Sequence, residues 1–243
     1  MIVTLTKKEF RSLFVTPSTW WMLALLQFIF AWFFFARMDD YLHVQAQLAQ
    51  MENAPGATIS IASPLASVLA LVLMMLIPLF TMRLIAEERR NQTWILLSTA
   101  PISATHIVLG KYFGLMALLT LIISACALMM SALALGTHAD FGLIFSNLLG
   151  IWLLAASYAA LGLYFSALTR QPVVAAFAAL AISFGLWMLE MSSGNVRTLS
   201  PNTHFQNMNV GLISSVDVCY FVLFIAVFLL LAIRHIRHER GGR

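Results

Sequence analysis

The stretch MRLIAEERRNQTWILLSTAPISATHIVLGK, residues 82–111, decides how the chain is read. It lies between two long apolar runs and carries the densest mixture of charge and amphipathic sequence in the chain. On either side the residues suit lipid. Of 243 residues, 61% are hydrophobic and only 10% charged, too few charges to clothe a soluble domain of this size. The class is therefore an integral membrane protein. A connection that only turned the chain around would need a few residues. This one is long enough to present a structured charged surface to a soluble partner, and the bland alternative is a solvated face with no partner.

Crossing the hydrocarbon core takes about 20 apolar residues in a helix. Six runs qualify, at 18–36, 64–82, 112–135, 143–166, 173–191 and 216–234. None shows the alternation of barrel strands, so the expected fold is all-α with six transmembrane helices. The first run ends in FFFARMDD with no small-residue cleavage site, which predicts a retained span. With both termini cytoplasmic, that side takes Lys7, Lys8, Arg11, Arg83, Arg89, Arg90, Lys111, Arg170, Arg234, Arg237, Arg240 and Arg243. Only Arg37 and Arg197 of the 14 Lys and Arg then fall outside, which is the positive-inside pattern. Asp39, Asp40, Glu52, Asp140, Glu190 and Asp217 lie outside. The net charge of +4 thus reports topology, and no nucleic-acid partner is expected.

Residues 1–17 predict an interfacial helix, because Leu5, Phe10, Leu13 and Phe14 can share a face while Lys7, Lys8 and Arg11 meet anionic headgroups. A disordered basic leader is the alternative. Trp20 and Trp21 mark the membrane boundary. Outside, residues 39–53 predict a short helix ended by Pro55-Gly56. In the inside loop, 83–111, Leu84–Leu97 can be helical, with Glu87, Glu88, Arg89 and Arg90 solvated and Trp94, Ile95 and Leu97 available for packing. Pro101 breaks that helix, and Ser103 offers a cap for the next. The loop 192–215 reads as structured. Ser200-Pro201 makes an N-cap and first turn, Gly211 a helix stop, and Ser214 or Ser215 a cap for the last span, with Asp217 suiting its dipole.

Absences narrow the chemistry. Gly110-Lys111 lacks the earlier glycine of a P-loop, and Tyr112 stands where a magnesium-binding hydroxyl residue belongs. No span carries Asp, Glu, Lys or Arg well inside it, which disfavours a proton-driven carrier. Glu87-Glu88 resembles the EExxxR signature of a membrane protease, but Gln92 occupies the arginine position, and neither a serine–histidine pair nor HExxH appears. His43, His138 and His204 sit on separate outside loops, and the methionines read as packing residues. Cys126 and Cys219 lie within or beside spans with no paired spacing. No enzyme activity, metal or cofactor is expected on this chain.

Across nearly its whole length the chain resembles the permease subunit of a type-2 ABC exporter. EERRNQTWILLSTAPISATHIVLGKY (87–112) is similar to the family pattern of mixed charges, a threonine, Leu-Leu-Ser/Thr, Pro-Ile/Val and Leu-Gly-Lys, although Gln92 stands where many relatives have glycine. LSPNTHFQNMNVGLISSVDVCYF (199–221) resembles the LSP, HF and D-V-x-YF pattern of the gliding-motility-associated branch, near the permease that helps mature nitrous-oxide reductase. The resemblance implies a nucleotide-free subunit in the bacterial inner membrane. Two copies would work with two ABC ATPase subunits that hold ATP and Mg, and relatives are often joined by an auxiliary membrane protein with a large outside domain. Glu87, Glu88, Arg89, Arg90 and Thr93 would meet the ATPase as a coupling helix, Trp94 to Leu97 would anchor it, and Pro101 would turn the chain. Ser200, Pro201, His204, Phe205, Gly211 and Asp217 would form an outer gate or docking loop. Pro78 would let the second span bend, and the Ala-rich fifth span would contact a second subunit, the pathway, or only its own chain. The subunit would then export an unidentified substrate or, alternatively, transmit ATPase motion to an outer partner without substrate passage.

Overall fold

A computed structural model describes residues 2–48, 56–94, 102–135, 140–192 and 194–241, and all regular structure in them is helical. Ile95, Leu97, Pro101, His138 and the Pro55 end of the first loop lie outside the described residues. The helices are α1 (Ile2–Val15), α2 (Pro17–Leu48), α3 (Ala57–Leu84), α4 (Ala86–Arg90), α5 (Ala104–Ser131), α6 (Phe141–Leu168), α7 (Pro172–Met188), α8 (Pro201–Asn209) and α9 (Ser215–Gly241), with short 3-10 turns after α5 and α7 and before α8. Six segments are long and apolar enough to cross a membrane: Pro17–Val44, Thr58–Arg90, Ala104–Ser131, Phe141–Leu168, Pro172–Met191 and Ser215–Arg240. In such sequence the helix is the structure that satisfies every backbone group locally.

The bundle forms around α6. Of its most apolar stretch, 72% is buried inside the protein, against 22% for α2 and 28% for α7 and α9. Small residues put it there. Ala155, Ala156, Ser157, Ala159 and Ala160 are buried in succession, and Gly162 approaches Thr81 of α3 so closely that a Cβ would collide with the threonine. Backbones that meet this tightly gain dispersion contact where lipid offers no hydrophobic drive. On α7 the small residues Ala175, Ala176, Ala179 and Ser183 are buried within the chain's own bundle, whereas Val173, Val174, Phe177 and Phe184 face outward. The alanines of the fifth span therefore serve packing inside the chain. Pro64 and Pro78 both sit within α3, which continues past them without a break.

Three segments differ from their sequence reading. Residues 39–48 are helical as expected, but as the continuation of α2, whose 32 residues run unbroken to Leu48 past the expected end of the first span at 36. The expected helix over 84–97 breaks at Ile85 (φ −126°, ψ −45°), so that α4 is only one turn long. The break is held from outside the segment: Ser166 Oγ of α6 accepts from Ile85 N–H (3.2 Å) and Ala86 N–H (3.0 Å) and donates to the Met82 carbonyl. Those are the orphan donors of a starting helix, paired by a distant side chain. Third, the face of α1 bearing Leu5 and Leu13 also carries Glu9, which is buried. It packs on α5. A Cβ at Gly110 would lie 2.7 Å from Leu5 Cβ, and one at Gly114 2.6 Å from Glu9 Cβ, so the two helices run side by side in the same direction. This four-residue glycine spacing is a close-approach signature within the sequence.

Candidate functional site

At one end of the bundle α1, α4, the start of α5 and the end of α9 meet through charge. Lys111 in the second turn of α5 is fully buried, and its Nζ donates to Glu9 Oε1 of α1 at 3.1 Å and to Glu88 Oε1 of α4 at 2.7 Å. Glu88 has been read as solvated, yet it points inward to this lysine. Arg89, whose side chain is 6% exposed, grips Glu239 of α9 through two hydrogen bonds of 3.1 and 2.6 Å and lies 5.2 Å over the Trp94 ring. Paired, planar guanidinium–carboxylate contacts of this kind are directional and hard to slide. Arg240 donates to the Ile102 carbonyl just before α5, closing the ring of contacts.

Sequence spacing places acidic and basic residues next to each other in α4, and their orientations follow from helix geometry. Glu88 and Arg89 face the bundle, Glu87 is half-buried, and Arg90, Asn91, Gln92 and Thr93 are exposed. Among the described residues no ion pair reaches Glu87 or Arg90. After Arg90 the chain turns through Gln92 at φ +60°, the left-handed region, with Gln92 N–H bonded to the Arg89 carbonyl and Thr93 Oγ1 to that of Glu88. This is the position at which glycine is expected from the resemblance, and the geometry supplies the reason. Ser103 caps α5, its side chain accepting from His106 N–H. Trp94 is buried.

At the opposite end α8 is fastened to three spans. Ser200 is its N-cap by position and Pro201 its first residue, but the Ser200 hydroxyl makes no capping bond and is buried with no hydrogen-bond partner among the described residues. Gly211 at φ +90° ends it, with Gly211 N–H returning to Met208 and Leu212 N–H to Asn207. Asn209 bonds Ser63 and Ser67 of α3, and Ser146 of α6 donates to the Met208 carbonyl. His204 lies 2.6 Å from Asp217 of α9 by Nδ1 and 2.9 Å from the Thr198 carbonyl by Nε2, and stacks on Tyr220 at 4.0 Å. Asp217 lies in the first turn of α9, where a carboxylate suits the helix dipole, and it also forms this side-chain clasp. Phe205 is fully buried beside Gly150. Between α3, α6, α7 and α8 lies a cleft of about 190 Å³ whose polar lining includes Ser67, Tyr158, Glu190, Asn202 and Gln206.

The sequence reading did not single out Glu9, Lys111, Glu239 or Ser166 for a joint role. Gly110-x-x-x-Gly114 and a glutamate on the apolar face of α1 were the signals available. Compared with known proteins, the chain matches the profile of a family described as ABC-2 family transporter protein over residues 39–234. A search of curated proteins gave no match.

Proposed function

The chain belongs to the ABC-2 transporter family, and on that premise we propose that this multi-pass membrane protein, a membrane subunit of an ABC transporter, takes energy from its ABC ATPase through α4. Membership implies partnership with such an ATPase and with membrane lipid. The finer arrangement is our reading: two permease copies with two ATPases in a bacterial inner membrane, both termini and α4 on the cytoplasmic side, within the branch that the 199–221 pattern resembles. ATP and Mg belong to the partner.

The observation that carries the reading is the division of labour along α4. Its exposed side, Arg90 to Thr93 with Glu87 beside it, is free for a partner, while Glu88 and Arg89 are bonded to α5 and α9. A push on the exposed side is thereby delivered to two spans through short directional contacts, the physical requirement for rocking helices as rigid bodies. The ATPase face assigned from sequence to Glu87–Arg90 narrows to Glu87, Arg90 and Thr93, with Glu88 and Arg89 acting as its inward anchors. Thr93 also closes the turn. Export is favoured over pure mechanical transmission by the polar cleft beside α3 and α7. The second reading keeps one support, the exposed apolar Val210, Leu212 and Ile213 next to α8, which suit an auxiliary outer partner.

The test is co-purification. Glu87→Lys with Arg90→Glu leaves both internal ion pairs intact, so the chain should insert and fold normally while ATPase recovery falls at least tenfold. Undiminished recovery would refute the assignment of α4.

A further inference from the structure

The cleft at the α8 end has a feature that packing does not explain. Glu190 stands at the end of the span Pro172–Met191, half-buried, with Asn202 Nδ2 donating to its Oε2. Among the described residues no Lys, Arg or His comes within ion-pair distance of it. Among the described residues Glu9 and Glu88 have Lys111, Glu239 has Arg89 and Asp217 bonds His204, whereas Glu87 and Glu190 are half-buried outside any ion pair, and of these two Glu190 lines the cleft. A carboxylate at the margin of a low-dielectric bundle without a counter-charge is costly, and one amide donor offsets only part of that cost. Its neighbours around the cleft are aromatic as well as polar: Tyr158 from α6 and Trp187 from α7 line the same space as Ser67 and Gln206.

Carboxylate, π faces and apolar walls in one cleft are the recognition elements of an organic cation. The Ser67 hydroxyl and Gln206 carbonyl are already engaged with Asn209, so the open capacity of the site lies with the Glu190 charge and the two rings. The volume, about 190 Å³, suits a compact head group. We propose that this cleft binds an alkylammonium group, the cation pairing with Glu190 and its carbon substituents lying against Trp187 and Tyr158. That the bound cation is cargo rests on the transporter reading above; the binding itself does not.

The experiment uses the full chain in lipid nanodiscs, with choline as the probe and 3,3-dimethylbutan-1-ol as its uncharged isostere, followed by titration calorimetry. Choline should bind, the isostere at least tenfold more weakly, and Glu190→Gln should weaken choline at least tenfold. Leu71→Trp, which fills the cleft from the exposed rim of α3 at a side chain that makes none of the hydrogen bonds holding α8, should abolish binding, and it provides the test if Glu190→Gln loosens α8. Equal binding of the isostere, choline binding that survives Leu71→Trp or a folded Glu190→Gln, or no choline binding at all would overturn the proposal. Choline binding without ATPase co-purification would count against the transporter reading alone, and the reverse result against the cation site alone.

Discussion

Lys111 shows how one side chain can hold three helices. Its ammonium is out of water and has two carboxylates for partners, so its removal leaves Glu88 without a cation and Glu9 with only the exposed Lys8, 4.0 Å away. Breaking a buried pair from one side costs about 3–5 kcal/mol, more than the pair itself contributes. Lys111→Ala should therefore lower the melting temperature of the purified chain sharply. Lys111→Met combined with Glu9→Gln should recover part of the loss, because one stranded charge goes with its partner. An unchanged melting temperature in Lys111→Ala would refute the triad. Gln92 is a second residue with a definite cost. Its φ of +60° disfavours a side chain by about 1–2 kcal/mol, most of all a β-branched one. Gln92→Gly should unfold at or above the parent temperature, and Gln92→Val should lower the denaturation midpoint, because a β-branched side chain tolerates this φ least.

At the level of elements, the existence of the six long helices was legible because hydropathy reports burial in lipid directly. Their ends were less legible, because a span stops being apolar before it stops being helical: α2 continues through Asp39, Asp40 and Tyr41 as far as Leu48. The break before α4 was invisible for a different reason. It depends on Ser166, about 80 positions away, supplying hydrogen bonds that no local pattern announces. The α1–α5 contact lay between these cases, since the glycine spacing was on view but its partner was not. Gly114→Leu should overpack that contact, at about 1–3 kcal/mol, and release α1. In a Cys219→Ser background, a Leu13→Cys thiol should be shielded from maleimide with Gly114 intact and become reactive in Gly114→Leu. Equal labelling in both would show that α1 does not depend on this seat.

For the molecule as a whole, the candidate site was half legible. Charge density pointed to residues 82–111, and the ordered look of 199–221 pointed to α8, since both patterns are local. Which of Glu87, Glu88, Arg89 and Arg90 face inward was not legible, because that depends on Lys111 and Glu239 arriving from elsewhere in the chain. The same ion pairs gather α1, α4 and the end of α9 at one end of the bundle, which yields a topological prediction. Arg90→Cys, in the Cys219→Ser background, should react with a membrane-impermeant maleimide in inside-out vesicles only, and Leu212→Cys in right-side-out ones only. Labelling of both from one side would overturn the assigned orientation. The seat of α1 also dictates an order of events during synthesis. Glu9 leaves the ribosome 102 residues before Lys111, the cation that buries it, and before either glycine of its groove exists. Until then α1 lacks the groove that covers its apolar face, so it can take its seat on α5 only after Gly114 has been made.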